Sequence, residues 1–234
     1  PTEDRVNAMI NAAGLNSDHL VAKVGPSQGA ATVEKLAINA VLAGCRPQHM
    51  AVVIAAVEAM TKPEFNLDSV QTTTNPCTVA LVLNGPIRQA LDINFGRGCL
   101  GPGHRSNAVL GRAIRFILLN IGGGVPGDMD KATHGFPGKY TLCFGEDEVS
   151  SPWEPLHVER GFAQNQSTVT VMSVNTTLNI ITSSFVKISD MLASMANALS
   201  LMGTNNATLG AGEPMMLLSP GHANLANQAG MSKS

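Results

Sequence analysis

The sequence predicts an α/β or α+β fold: one compact domain over residues 1–234, with a buried αα-hairpin and a mixed sheet. Three observations predict it. Apolar residues recur at helical spacing in some segments and form short β-rich runs in others, and the two kinds alternate along the chain. Nothing repeats at a fixed period, which sets solenoids and propellers aside. The 23 glycines and 13 prolines fall in short clusters between apolar segments, with no tract that reads as a linker. An N-terminal helical part, residues 1–62, is expected to precede a mixed α/β part, residues 63–234.

Thr2 caps a short helix whose apolar positions are Val6, Met9, Ile10 and Ala13, and Gly14 ends it. After a Gly/Pro/Ser segment at 25–29, residues 31–43 are apolar nearly all round and stop at Gly44. A second apolar helix is expected over 47–60, with Pro47 in its first turn. These two helices form the expected buried hairpin. It carries Glu34, Lys35, Asn39 and Glu58, and a charge buried without a partner costs several kcal/mol, so those residues call for an explanation.

Residues 70–73 and 78–83 are β-rich, the second a continuous apolar run that suits a central strand. Asn84-Gly85-Pro86 turns the chain into a short helix ending near Leu91. A glycine-rich segment at 96–103 leads into a helix over 106–121, with Leu110, Ala113, Ile114, Ile117 and Leu118 on its apolar face. Further strands are expected at 139–144, 167–174, 178–183 and 215–218. Phe185, Ile188, Leu192, Met195 and Leu199 mark a long amphipathic helix, and Ser219-Pro220 opens a last one at His222.

Composition excludes several functions. With 15 basic against 17 acidic residues, the chain lacks the clustered positive charge of a nucleic-acid binder. No apolar stretch approaches the roughly 20 residues of a spanning helix, so no membrane is expected. Cys45, Cys77, Cys99 and Cys143 show no C-x-x-C pair and no zinc-module spacing, which points to a reducing, cytoplasmic setting. The first residues, Pro1-Thr2-Glu3-Asp4, have neither an initiator Met nor signal-peptide features, and trimmed ends are expected.

Three segments are candidates for chemistry. Residues 151–161 gather Glu154, His157, Glu159 and Arg160 beside the single Trp, Trp153. If this stretch is extended, His157 and Glu159 face the same way, so that Glu159 orients the imidazole or shares a metal with it. The bland alternative is a solvated loop. The second segment, 100–107, offers glycines that let backbone approach a ligand, a helix start and the positive charge of Arg105, a combination suited to a carboxylate or phosphate; a plain structural turn is the alternative. Third, Lys35 and Asn39 lie four apart on one helical face, where a buried, desolvated lysine acts as base or Schiff-base nucleophile, whereas one held by Glu34 or Glu58 stays charged and serves as structure or as a carboxylate clamp. Cys45 is expected to be a core residue, and Asp128, Asp130 and His134 a solvated loop.

Residues 31–45 (ATVEKLAINAVLAGC), 84–87 (NGPI), 100–103 (LGPG) and 151–160 (SPWEPLHVER) together resemble a family of largely uncharacterised bacterial proteins associated with thioredoxin-like (seleno)proteins that bear a U-G-S-C motif. The resemblance implies a bacterial, cytoplasmic protein with a site shared by the family and a thioredoxin-like partner, and it supplies no reaction. His104 stands where the family pattern has Asn.

The function expected from these residues is that of a lyase or hydrolase acting on a small carboxylate or carbonyl compound by acid–base chemistry. His157 would be the acid or base, Glu159 its orienting partner, Glu154 a second carboxylate and Lys35 a further catalytic group. Arg105, Gly101, Gly103, Asn84, Arg160 and Asn39 would bind the substrate. The cofactor stays open, a metal at His157 and Glu159 being one option. A homo-oligomer is expected. The alternatives are a non-catalytic subunit of an oligomer and a thiol-redox partner of a thioredoxin-like protein.

Overall fold

The computed structural model describes residues 1–181, 187–209 and 213–233. The fold is α+β. The chain forms two compact units, one of Pro1–Asp147 with Leu156–Thr176, the other of Glu148–Pro155 with Thr177–Ser234.

In the first unit, α1 (Glu3–Ala13) buries Val6 and Met9 and ends at Gly14. Strands β1 (Leu20–Val24) and β2 (Gly29–Thr32) form an antiparallel hairpin around the Gly/Pro/Ser segment, where the sequence reading placed no strand. Helix α2 (Val33–Ala43) follows directly: the Thr32 hydroxyl accepts the Lys35 N–H, and Gly44, in the left-handed region at φ 90°, returns its N–H to the carbonyls of Ala40 and Val41. A 3₁₀ turn at Pro47–His49 leads into α3 (Met50–Met60), which buries Val53, Ala56, Val57 and Met60 among others.

The expected charge burial in this hairpin does not occur. Glu34, Lys35 and Glu58 are exposed, because α2 and α3 each keep one side toward water; only the amide of Asn39 is buried. Helix α4 (Leu67–Thr72) takes the place of the expected strand at 70–73. Leu67 and Gln71, one helical turn apart, are its buried positions, so tertiary burial at helical spacing overrides the β preference of Val70 and its threonines.

The three-stranded sheet has the order β4–β3–β5. All seven residues of β3 (Thr78–Asn84) are buried, as befits the central strand that its apolar run predicts. Strand β4 (Cys143–Gly145) pairs with it in parallel, Leu83 opposite Gly145, and is shorter than the expected 139–144. Strand β5 (Thr168–Val174) pairs antiparallel, Asn84 opposite Thr168. Between β3 and β4 lie the short α5 (Ile87–Ala90) and the long α6 (Arg105–Asn120), whose buried face includes Leu110, Ala113, Ile114, Ile117 and Leu118 as the periodicity predicts. A single helical turn, α7 (Leu156–Glu159), precedes β5.

The second unit holds α8 (Ile188–Leu199), α9 (Asn205–Leu209) and α10 (Pro220–Gln228), the last opened by Ser219 as expected. Residues 178–181 and 215–218 form no strand; residues 182–183 and Phe185 lie outside those described. No single helix among the described residues is long and apolar enough to cross a membrane. The helices over 33–43 and 47–60 reach that length only together, bent by 120°.

Candidate functional site

A cluster of polar residues of the first unit lies at the carboxyl ends of the parallel strands β3 and β4, the edge at which open α/β sheets carry their ligands. Asn84 ends β3 and is fully buried, and Glu146 follows β4 directly. The Asn84 amide Nδ2 donates to Glu146 Oε2 at 2.5 Å, and the same oxygen accepts the Leu156 N–H at 2.8 Å. Glu146 therefore holds the first N–H of the turn that carries His157.

Arg88 completes the cluster. It is buried, its Nε donates to the Gly85 carbonyl at 3.1 Å, its Nη1 donates to the Glu146 carbonyl, and its guanidinium stacks on Phe95 at 4.7 Å. Gly85 makes the arrangement sterically feasible. Its φ is 79°, and a Cβ there would stand 2.1 Å from the Gln166 carbonyl oxygen.

His157 is buried at 1% exposure. Its Nε2 lies 3.3 Å from the Gln164 carbonyl, an acceptor only, so Nε2 carries the proton and Nδ1 is the nitrogen able to take one. The segment is helical and not extended, which overturns the expected geometry. Residues two apart on a helix point roughly 200° away from each other, so the exposed Glu159 does not share a face with the buried His157. Arg160 is also exposed. Glu154 and Trp153 belong to the second unit, where Lys233 Nζ donates to the Glu154 carbonyl at 3.0 Å and Trp153 Nε1 donates to the Met231 carbonyl at 3.0 Å. Among the described residues, no group of three or more His, Cys, Asp or Glu side chains is placed to hold a metal.

The other expected residues lie in two different places. Lys35 and Asn39 line a cavity of about 270 Å³ with Gly29, Ile38, Asn120 and Ile121. Asn39 is occupied on both sides: Nδ2 donates to the Lys35 carbonyl at 2.8 Å, and Oδ1 accepts from Asn120 Nδ2 at 2.6 Å. Arg105 lies at the start of α6, its Nη2 donating to the Gly44 carbonyl at 2.8 Å. Gly101 and Gly103 are exposed in the preceding loop. Two residues beyond Arg105, Asn107 clamps residue 94, accepting the Asn94 N–H at 2.8 Å and donating to its carbonyl at 3.0 Å.

Several residues of consequence escaped the sequence reading. Glu146 is one; its signal was an acid immediately after a strand, at the edge where Asn84 ends the neighbouring strand. His49 is another. Its Nδ1 accepts the Arg46 N–H at 2.8 Å, so Nε2 is the protonated nitrogen facing Ser106 Oγ at 3.2 Å. The imidazole thus donates to the hydroxyl and is not set to take its proton, which argues against a Ser–His nucleophile. Burial, then the charges of Arg46 and Arg105, hold His49 below the usual imidazole range. Asp130 is neither solvated nor idle: it is 4% exposed between Arg115, at 3.0 Å, and Lys139, at 2.6 Å.

Burial raises all four thiols. Cys45 is pushed up to about 12 against the opposing charge of Arg105, and Cys143 is higher still. The chain matches no family model, no curated protein and no solved structure.

Proposed function

We propose that this chain is an enzyme of the lyase or hydrolase class, acting on a small carboxylate- or carbonyl-bearing compound by acid–base chemistry at the carboxyl ends of β3 and β4. The observation that carries the reading is Glu146: a carboxylate fixed by Asn84 and by the first N–H of the His157 turn, at the sheet edge that topology favours for ligands. Glu146 holds that turn, and through it places the Nδ1 of His157, the proton-accepting nitrogen. His157 moves the proton, and Arg88 keeps the peptide of Glu146 in place. Glu159, Glu154 and Lys35 have no part in this version.

Proton NMR of the purified chain with a panel of small hydroxy acids and carboxylic esters tests it. Elimination or ester cleavage by the unaltered chain is expected, with His157→Asn lowering turnover at least about 100-fold, the typical worth of a general acid or base. Turnover that survives His157→Asn in a folded variant sinks the assignment, as does a panel left intact.

A second reading, an accessory subunit of a homo-oligomer, draws support from apolar side chains exposed in the second unit, among them Met202 at 89% and Ile181 at 75%. Light scattering that returns a mass near 24.4 kDa, one chain, counts against it. The four free cysteines support a reducing, cytoplasmic setting. A thiol-redox role beside a thioredoxin-like partner draws the least support, since burial holds the thiols protonated.

A further inference from the structure

Arg105 was expected to hold an anion together with Gly101 and Gly103. Its bond to the Gly44 carbonyl aims the guanidinium instead toward the end of α2, where it lines a cleft of about 280 Å³. Two more arginines line the same cleft: Arg5 from α1 and Arg46 from the turn after α2. Met9, Val41 and Cys45 give it an apolar wall.

No acidic side chain lines this cleft, and among the described residues none of the three guanidinium groups is paired with a carboxylate. Three cations drawn together from separate elements repel one another, and an anion placed among them removes that cost while offering each guanidinium a two-pronged acceptor. Neighbouring groups already sense the field. Arg46 and Arg105 both act to lower the affinity of His49 for a proton, and Arg105 acts to ionise Cys45. The Gly44 bond fixes Arg105 before any ligand arrives, so less side-chain freedom is lost on binding.

We propose that this cleft is a binding site for a small, multiply charged organic anion, a phosphate ester or a dicarboxylate, whose short apolar part lies against Met9 and Val41. The site is separate from the Glu146 cluster and does not depend on the chemistry proposed there.

Calorimetric titration of the full chain at low ionic strength tests it, with inorganic phosphate and succinate as probes and acetate as the singly charged control. At least one of the two probes is expected to bind more tightly than acetate, and which one does so separates phosphoryl from carboxylate ligands. The double variant Arg5→Gln/Arg46→Gln, which keeps the Arg105–Gly44 bond, should weaken binding at least about tenfold, the size of one lost charge-assisted hydrogen bond. Lys62→Gln, an exposed cation outside the cleft, and Glu146→Gln should leave affinity unchanged. The proposal is overturned if neither probe binds better than acetate, if the double variant binds like the unaltered chain, or if Lys62→Gln or Glu146→Gln weakens binding as much as the double variant does.

Discussion

Asp130 shows how far a single residue can depart from what its neighbours in sequence suggest. Set in a Pro/Gly-rich stretch, it reads as solvated, yet it is buried, with Arg115 from α6 and Lys139 both donating to its carboxylate. Burial alone would raise its pKa. The hydrogen bond from Lys139, then the Ala132 N–H and the two cations, outweigh that and hold it below the usual carboxylate range. Asp130→Asn removes the charge and leaves two cations facing each other. We expect a loss of about 2–3 kcal/mol in urea unfolding, less than a fully dry pair would lose because Lys139 keeps some exposure to water. A midpoint within error of the unaltered chain would show that the network contributes nothing.

Among the elements, those whose signal is local were legible and those whose signal is a partner were not. The cap at Ser219, the stop at Gly44 and the apolar face of α6 are all written in adjacent residues. So is β3, whose unbroken apolar run foretells burial on both faces. The hairpin β1–β2 was missed because β1 carries Ala22 and Lys23 and β2 is Gly-Ala-Ala-Thr, both short of a strand signature, and the pairing is settled by a strand beyond the turn. The site divides in the same way. Asn84 and His157 were found as polar residues beside prolines and glycines, but Glu146 acquires its role only because β3 and β4 run parallel and bring two strand ends together. The expected Glu159–His157 pairing failed on one torsional choice, helical turn against extended chain. Gly85 is the point at which these elements meet, since its left-handed backbone and bare α-carbon let the 164–168 segment close over the end of β3. Gly85→Ala should cost more than about 2 kcal/mol of stability, from strained backbone plus overlap with the Gln166 carbonyl. It should also reduce any turnover that depends on His157. A stability loss below about 0.5 kcal/mol would mean the closure is not needed.

Across the whole molecule, the buried titratable groups favour one pH window. His49 binds its proton less readily folded than unfolded, because burial and two arginines oppose the charge. The unfolded chain therefore takes up that proton first, and stability falls as the pH drops below about 6.5, the value of a free imidazole. Asp130 acts on the same side further down: its contribution is whole above the free carboxylate value of about 3.9 and is lost as pH falls through its lower folded value. The thiols act on the alkaline side. Folded Cys45 and Cys143 keep protons that the unfolded chain releases above about 8.5, so stability declines beyond that point. Thermal unfolding should accordingly show a plateau between about pH 6.5 and 8.5, with each group adding at most about 1.4 kcal/mol per pH unit to the slope outside it. Cys143→Ala should make the alkaline limb shallower while leaving the acid limb as it was. An alkaline slope unchanged by that substitution would exclude the Cys143 thiol as a contributor to it.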